Sequence, residues 1–177
     1  TGPTGFARSS RRVVVLTTFA INDPGHGGQL RARNLYGALA ERRPVEVVAL
    51  VDFGVQPFTQ QLTPGLTQVV VPRSAEHHLP GERQSAAARM PVTDVIAGTE
   101  IRLTPAYLEA VAAAADGASA IILAEPYLLP VVEHLELDLP VIYDAYNVEA
   151  TLKAGVFPDT PLGHDLWAQV VDTASRA

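Results

Sequence analysis

The run Arg12-Val13-Val14-Val15-Leu16-Thr17-Thr18, followed by Pro24-Gly25-His26-Gly27-Gly28 and then Gln29-Leu30-Arg31-Ala32-Arg33, most constrains the fold. A nearly continuous β-branched strand without polar alternation is buried on both faces, which requires a sheet covered by helices on each side. A glycine-rich loop leading from such a strand into a helix can present backbone N–H groups to an anion. The alternative is that Gly27 and Gly28 only make a tight strand–helix turn. The loop is neither a Walker A motif, since no Gly-Lys-Ser/Thr follows, nor the GxGxxG spacing.

Similar apolar runs recur, predicting strands at 12–18, 45–51, 67–71, 119–124 and 140–144. Helical stretches alternate with them, so the expected class is α/β: a Rossmann-like three-layer domain with a mainly parallel sheet. The first helix, about 27–42, places Ala32, Leu35, Tyr36 and Leu39 on one stripe. A second has Thr104 as N-cap, Pro105 at its first position and Gly117 past its end. A third follows Pro126, with Val131, Val132 and Leu135 apolar, and a last covers 162–175. Residues 72–103 are interrupted by Pro72, Pro80, Gly81, Pro91 and Gly98, so loops with one short helix at 83–90 are expected there.

With 177 residues the chain suits one domain, 12–177, behind a disordered or appended tail at 1–11. It has no cysteine, which excludes disulfides, thiol nucleophiles and cysteine metal sites. No apolar run nears the roughly 18 residues that span a bilayer. The cytoplasm is the default compartment, with peripheral membrane contact left open. The formal charge of −6 divides into +5 over residues 1–43 and −11 over the rest, which argues against general nucleic-acid binding. The basic zone by the first helix either meets an anion or is a solvated face.

In an open parallel sheet, ligands bind beyond the carboxyl ends of the strands. That edge collects Thr17, Thr18, the glycine loop, Asp52, Arg73, Glu125 and the segment Asp144-Ala145-Tyr146-Asn147-Val148-Glu149. Arg31 could bond a phosphate oxygen from the first turn of its helix. Glu125 is either an acceptor for sugar hydroxyls or a surface charge before Pro126. Asn147 could cap a helix. His26 is either a hydrogen-bonding group of the loop or solvated, and the adjacent His77-His78 pair is poorly placed to share a metal.

Two motifs in this order, Gly27-Gly28-Gln29-Leu30-Arg31 and Tyr143-Asp144-Ala145-Tyr146-Asn147-Val148-Glu149, resemble the N-terminal domain of family 4 glycosyltransferases of the GT-B fold. The resemblance spans about 12–52 and 119–152. It implies retaining transfer of a sugar from a nucleotide-sugar co-substrate, with no other cofactor and no essential metal. It implies Gly27, Gly28 and Arg31 at the diphosphate end and Asp144, Asn147 and Glu149 on the sugar and acceptor side; with Gln29 and Glu125 added as diphosphate- or substrate-binding candidates, the expected catalytic residues are Asp144, Tyr146 and Glu149. Tyr146 replaces a histidine common in the family, which weakens the case for histidine-assisted catalysis there. The partners implied are the protein's own C-terminal donor-binding domain, not contained in these residues, and a sugar, lipid or small-molecule acceptor. A stand-alone sugar- or phosphate-binding module and half of a sugar-nucleotide epimerase are the other readings. A nicotinamide enzyme fits less well, because only Asp52 matches its pattern.

Overall fold

The computed structural model describes residues 11–145 and 147–177; Tyr146 and most of the expected tail lie outside the described residues. The strands are β1 (Val13–Thr17), β2 (Val45–Val51), β3 (Phe58–Thr63), β4 (Leu66–Pro72), β5 (Ala120–Leu123) and β6 (Val141–Tyr143). The helices are α1 (Gly27–Ala40), α2 (Ala75–Ala88), α3 (Pro105–Ala115), α4 (Leu129–His134), α5 (Glu149–Ala154) and α6 (Pro161–Arg176). One sheet runs in the order β3-β4-β2-β1-β5-β6, with every pair parallel except β3 with β4. The expected Rossmann-like three-layer α/β architecture is present.

The two-residue period of a strand explains the layers. Val13 and Val15 of β1, with Val45 and Val47 of β2, pack on Ala32, Tyr36 and Ala40 of α1. Val14, Leu16, Val48 and Leu50 face the opposite side and pack with Tyr107, Val111 and Ala114 of α3 and with Val131 and Val132 of α4. Most apolar residues of β1 and β2 therefore find a helix, while Ala49 and Val51 of β2 and Val70 of β4 pack with Ala20 of the loop after β1.

Three features correct the sequence reading. Strand β3 was not expected: Phe58-Thr59-Gln60-Gln61-Leu62-Thr63 is polar and solvated because it forms the sheet edge. It joins β4 through Pro64-Gly65. Gly65 has φ +87, and a Cβ there would stand 2.6 Å from the Ala40 carbonyl oxygen, so glycine is required. Second, a full helix, α2, occupies 75–88 despite the internal Pro80. The Ser74 side chain caps it by accepting from His77 N–H at 3.1 Å, and Glu76, whose carbonyl Pro80 leaves without its helical donor, is an exposed residue. Third, the buried stripe of α1 is Ala32, Tyr36 and Ala40, four residues apart, while Leu35 is exposed.

Two caps also differ from expectation. Thr104 stands at the N-cap of α3, but its hydroxyl bonds elsewhere, accepting from Ser74 N–H and meeting His77 Nδ1 at 2.8 Å. Val148, not Asn147, holds the N-cap position of α5, and no side chain caps that helix. No helix among the described residues is long and apolar enough to cross a membrane.

Strand order creates the site. From β1 the chain proceeds to β2 and β4 on one side, then returns to β5 and β6 on the other. The loops after β1 and β5 therefore diverge, and the crevice between them is where a ligand fits in this class of sheet.

Candidate functional site

A cleft of about 310 Å³ opens at that point. Thr18 and Phe19 follow β1, Glu125 and Tyr127 follow β5, and Asn147 and Glu149 lead into α5, which also contributes Leu152 and Lys153. His26 of the glycine loop and Asp94 complete it. The post-β1 loop is pinned from below by Gln68, whose Oε1 accepts from Ile21 N–H and whose amide donates to Asn22 Oδ1 at 3.1 Å.

Glu125 is 4% exposed, which rules out a surface charge. Its Oε2 accepts from Thr18 N–H at 3.2 Å. Burial pushes its carboxyl up to about 8, with the Thr18 amide opposing and the negative charges of Asp94 and Glu149 adding to the rise. A carboxyl of that kind can carry its proton at neutral pH and either donate it or take it back.

Glu149 is also buried, and the Tyr127 hydroxyl donates to its Oε2 at 2.5 Å. Desolvation, then the carboxylate of Glu149, holds the Tyr127 hydroxyl well above its ordinary range, so it stays a donor. Lys153 Nζ, the only lysine ammonium in the sequence, pairs with Asp94 Oδ2 at 3.0 Å and lies 5.6 Å from the centre of the Tyr127 ring. The cleft thus offers several oxygen acceptors and one cation within a wall that is partly apolar, a surface suited to a ligand with many hydroxyls.

Glu125, Asn147 and Glu149, singled out from the sequence, meet in this cleft. Arg31 and Asp144 meet each other instead. Two guanidinium N–H groups of Arg31 donate to the two oxygens of Asp144 at 2.7 Å, and the Tyr36 hydroxyl adds a bond to Oδ2 at 3.0 Å. The Arg31 bonds, reinforced by Tyr36 against the opposing effect of burial, hold the Asp144 carboxyl below its ordinary range. Tyr146 lies outside the described residues. Gly27, Gly28 and Gln29 do not line the cleft. Gly25, His26 and Gly27 are exposed, and a Cβ on Gly27 would meet nothing within 4 Å.

His26 has a structural part: it is the N-cap of α1, its Nδ1 accepting from Gln29 N–H at 3.4 Å. Gln29 reaches back to accept from Gly25 N–H at 2.6 Å, a reciprocal arrangement close to a capping box. Two arginines of the basic zone are engaged in ion pairs, Arg12 with Glu46 and Arg31 with Asp144. His77 is buried, and burial followed by the nearby Arg73 charge lowers it to about 4. Among the described residues, no group of three His, Asp or Glu side chains is arranged to hold a metal.

Sequence reasoning missed Tyr127, Lys153 and Asp94. A lone lysine among twelve arginines was the available signal for Lys153. Asp94 lies in the segment with no legible period.

No family model matches the chain, and no curated protein does. Two solved structures are similar to it. One is described as the apo structure of OtsA, at 18% identity and a TM-score of 0.45, covering 92% of this chain and 39% of that one. The other is described as trehalose-6-phosphate from E. coli bound with UDP-2-fluoro glucose, at 16% identity and a TM-score of 0.46, covering 91% of this chain and 38% of that one. The chain therefore spans less than two-fifths of the length of either.

Proposed function

We propose that this chain is the acceptor-side domain of a GT-B glycosyltransferase that moves a sugar from a nucleotide-sugar to a hydroxylated acceptor. The observation that carries the reading is the cleft at the reversal of strand order, where two buried glutamates, Glu125 and Glu149, face a common space. Such paired acceptors suit sugar hydroxyls, and Asn147 and Lys153 stand at the same wall. Gly27, exposed, and Gly28, half-buried, lie at the positive end of the α1 dipole and would face the diphosphate of the donor. Arg31 and Asp144 act through position: their ion pair ties the glycine loop's helix to the loop carrying Asn147 and Glu149. The donor would be held by a second domain outside these residues. Membership of family 4, retention of configuration and independence from metal follow the motif resemblance.

The test is an NMR titration of the ¹⁵N-labelled chain with free hexoses and, separately, with nucleotide diphosphate-sugars. Hexoses are expected to shift Asn147, Glu149 and Lys153, while nucleotide-sugars bind this chain only weakly. Micromolar binding of a nucleotide-sugar by this chain alone would overturn the division of labour. Hexoses that leave all three resonances unmoved would overturn the cleft as a sugar site.

A further inference from the structure

A second pocket, about 340 Å³, lies on the other side of the loop that follows β1, and it shares Thr18 and Phe19 with the cleft. Its lining is richer in apolar side chains. Val51 at the end of β2, Val55 beyond it, Phe58 of β3 and Val70 of β4 form its apolar walls. Val55 is 40% exposed and Phe58 37%, although they come from separate segments and converge on one concavity. Three of the polar groups around it make bonds within the chain, although the Asp52 side chain stays largely open to solvent. Asn22 Oδ1 accepts from Gln68, Gln29 Oε1 accepts from Gly25 N–H, and Asp52 accepts from the buried Arg73. The pocket offers a ligand an apolar wall beside the exposed carboxylate of Asp52.

An acidic, hydroxyl-accepting cleft joined over a two-residue ridge to an apolar seat defines an amphiphilic ligand. We propose that the acceptor carries its hydroxylated head beside Glu125 and Glu149 and a short alkyl or aryl group between β1, β2 and β3. The inference rests on the reading of the cleft as a sugar site. Phe19 forms the ridge between the two chambers, held edge-on against the His26 ring at 5.4 Å. An ether or glycosidic linkage would cross there.

The experiment compares methyl and hexyl glycosides of the same hexoses, with 1-hexanol alone, against the ¹⁵N-labelled chain. Hexyl glycosides are expected to bind roughly tenfold or more tightly than methyl glycosides, because added methylenes leave water. They should shift Val55 and Phe58 together with Glu149 and Lys153. Val55→Ser, on a loop that no strand pairing depends on, and Phe58→Ser should each abolish the gain and leave methyl glycoside affinity unchanged. Equal affinity for the two glycosides overturns the amphiphile and leaves the sugar site standing. Hexyl gain that survives both substitutions overturns it too. If hexanol shifts Val55 while neither glycoside moves Lys153, the sugar reading fails and takes the amphiphile with it. Lengthening the tail to dodecyl separates the sources of such a ligand. A plateau marks a free small molecule and a further gain marks a membrane lipid, both consistent with the apolar seat.

Discussion

Arg31, in the first turns of α1, and Asp144, just past β6, are 113 positions apart and are joined by two parallel hydrogen bonds of 2.7 Å. This fork links the helix that begins at the glycine loop with the segment that leads to Asn147 and Glu149. Planar bidentate geometry is specific to arginine, so lysine would not replace it.

Arg31→Met removes that fork. Because the Arg31 side chain is 41% exposed, the expected loss of stability is at most about 1 kcal/mol. Asp144→Ala should lose more, since it also takes the acceptor from the largely buried Tyr36 hydroxyl. The pH sign follows from Asp144, whose carboxyl is held below its ordinary value. The contribution is complete above the unfolded value, about 3.9, and disappears as pH falls through the folded one. Urea unfolding of wild type and Arg31→Met at pH 7 and in strong acid checks this: the gap should be present at the first and closed at the second.

Glu125 runs the other way. Its folded carboxyl is raised to about 8, so the folded state binds its proton more tightly than the unfolded chain does. Stability through this group is therefore greatest below the unfolded value, about 4.3, and falls as pH rises toward 8. Glu125→Gln keeps an acceptor for Thr18 N–H and removes the ionisation. The variant should be more stable than wild type at pH 8 by an amount on the order of a few kcal/mol, and about equal near pH 4. Denaturant curves across that window, with carbon NMR of the Glu125 carboxyl, give the measurement; a carboxyl that titrates near 4 would refute it.

The sheet was legible because Val13-Val14-Val15-Leu16 and its counterparts need cover on both sides, and that requirement is local. What escaped depended on partners far along the chain. Gln60 and Gln61 read as loop residues because an edge strand need not be apolar. Pro80 hid α2, since the sequence alone does not say that Glu76 is solvated. Leu35 looked like core and Ala40 did not, but the close approach of Gly65 to the Ala40 carbonyl decides which edge of α1 is covered. Glu125 and Glu149 could be named in advance, yet not that both are buried, because that follows from strand order. Lys153 was visible as the chain's one lysine, whereas its partner Asp94 was not.

Gly98 and Gly27 should respond oppositely to alanine. A Cβ on Gly98 would lie 2.1 Å from the Tyr127 carbonyl oxygen and 2.9 Å from Pro130 Cδ, groups fixed in backbone and ring. Gly98→Ala is expected to destabilise by about 3 kcal/mol or more, the upper range for overpacking. Gly27→Ala meets open space and should stay within about 0.5 kcal/mol of wild type. Thermal and urea unfolding of the two variants side by side checks the contrast; similar losses in both would refute it.

The bond between Tyr127 and Glu149 is the most buried polar contact of the cleft that joins a residue after β5 to α5. Tyr127→Phe keeps the ring in its cluster with Ile96, Leu166 and Val170 and removes only the donor. The carboxylate of Glu149 then stays buried with its short bond gone, which costs about 1–3 kcal/mol. Glu149→Gln retains an acceptor for the hydroxyl and should cost less. In the double variant Tyr127→Phe/Glu149→Gln the charge that needed the donor is gone, so the two losses should not add. A double-mutant cycle measured by urea unfolding at pH 7 should return a coupling of about 1 kcal/mol or more. Strict additivity would mean that the hydroxyl and the carboxylate do not hold each other, and that α5 is fixed against the cleft by packing alone.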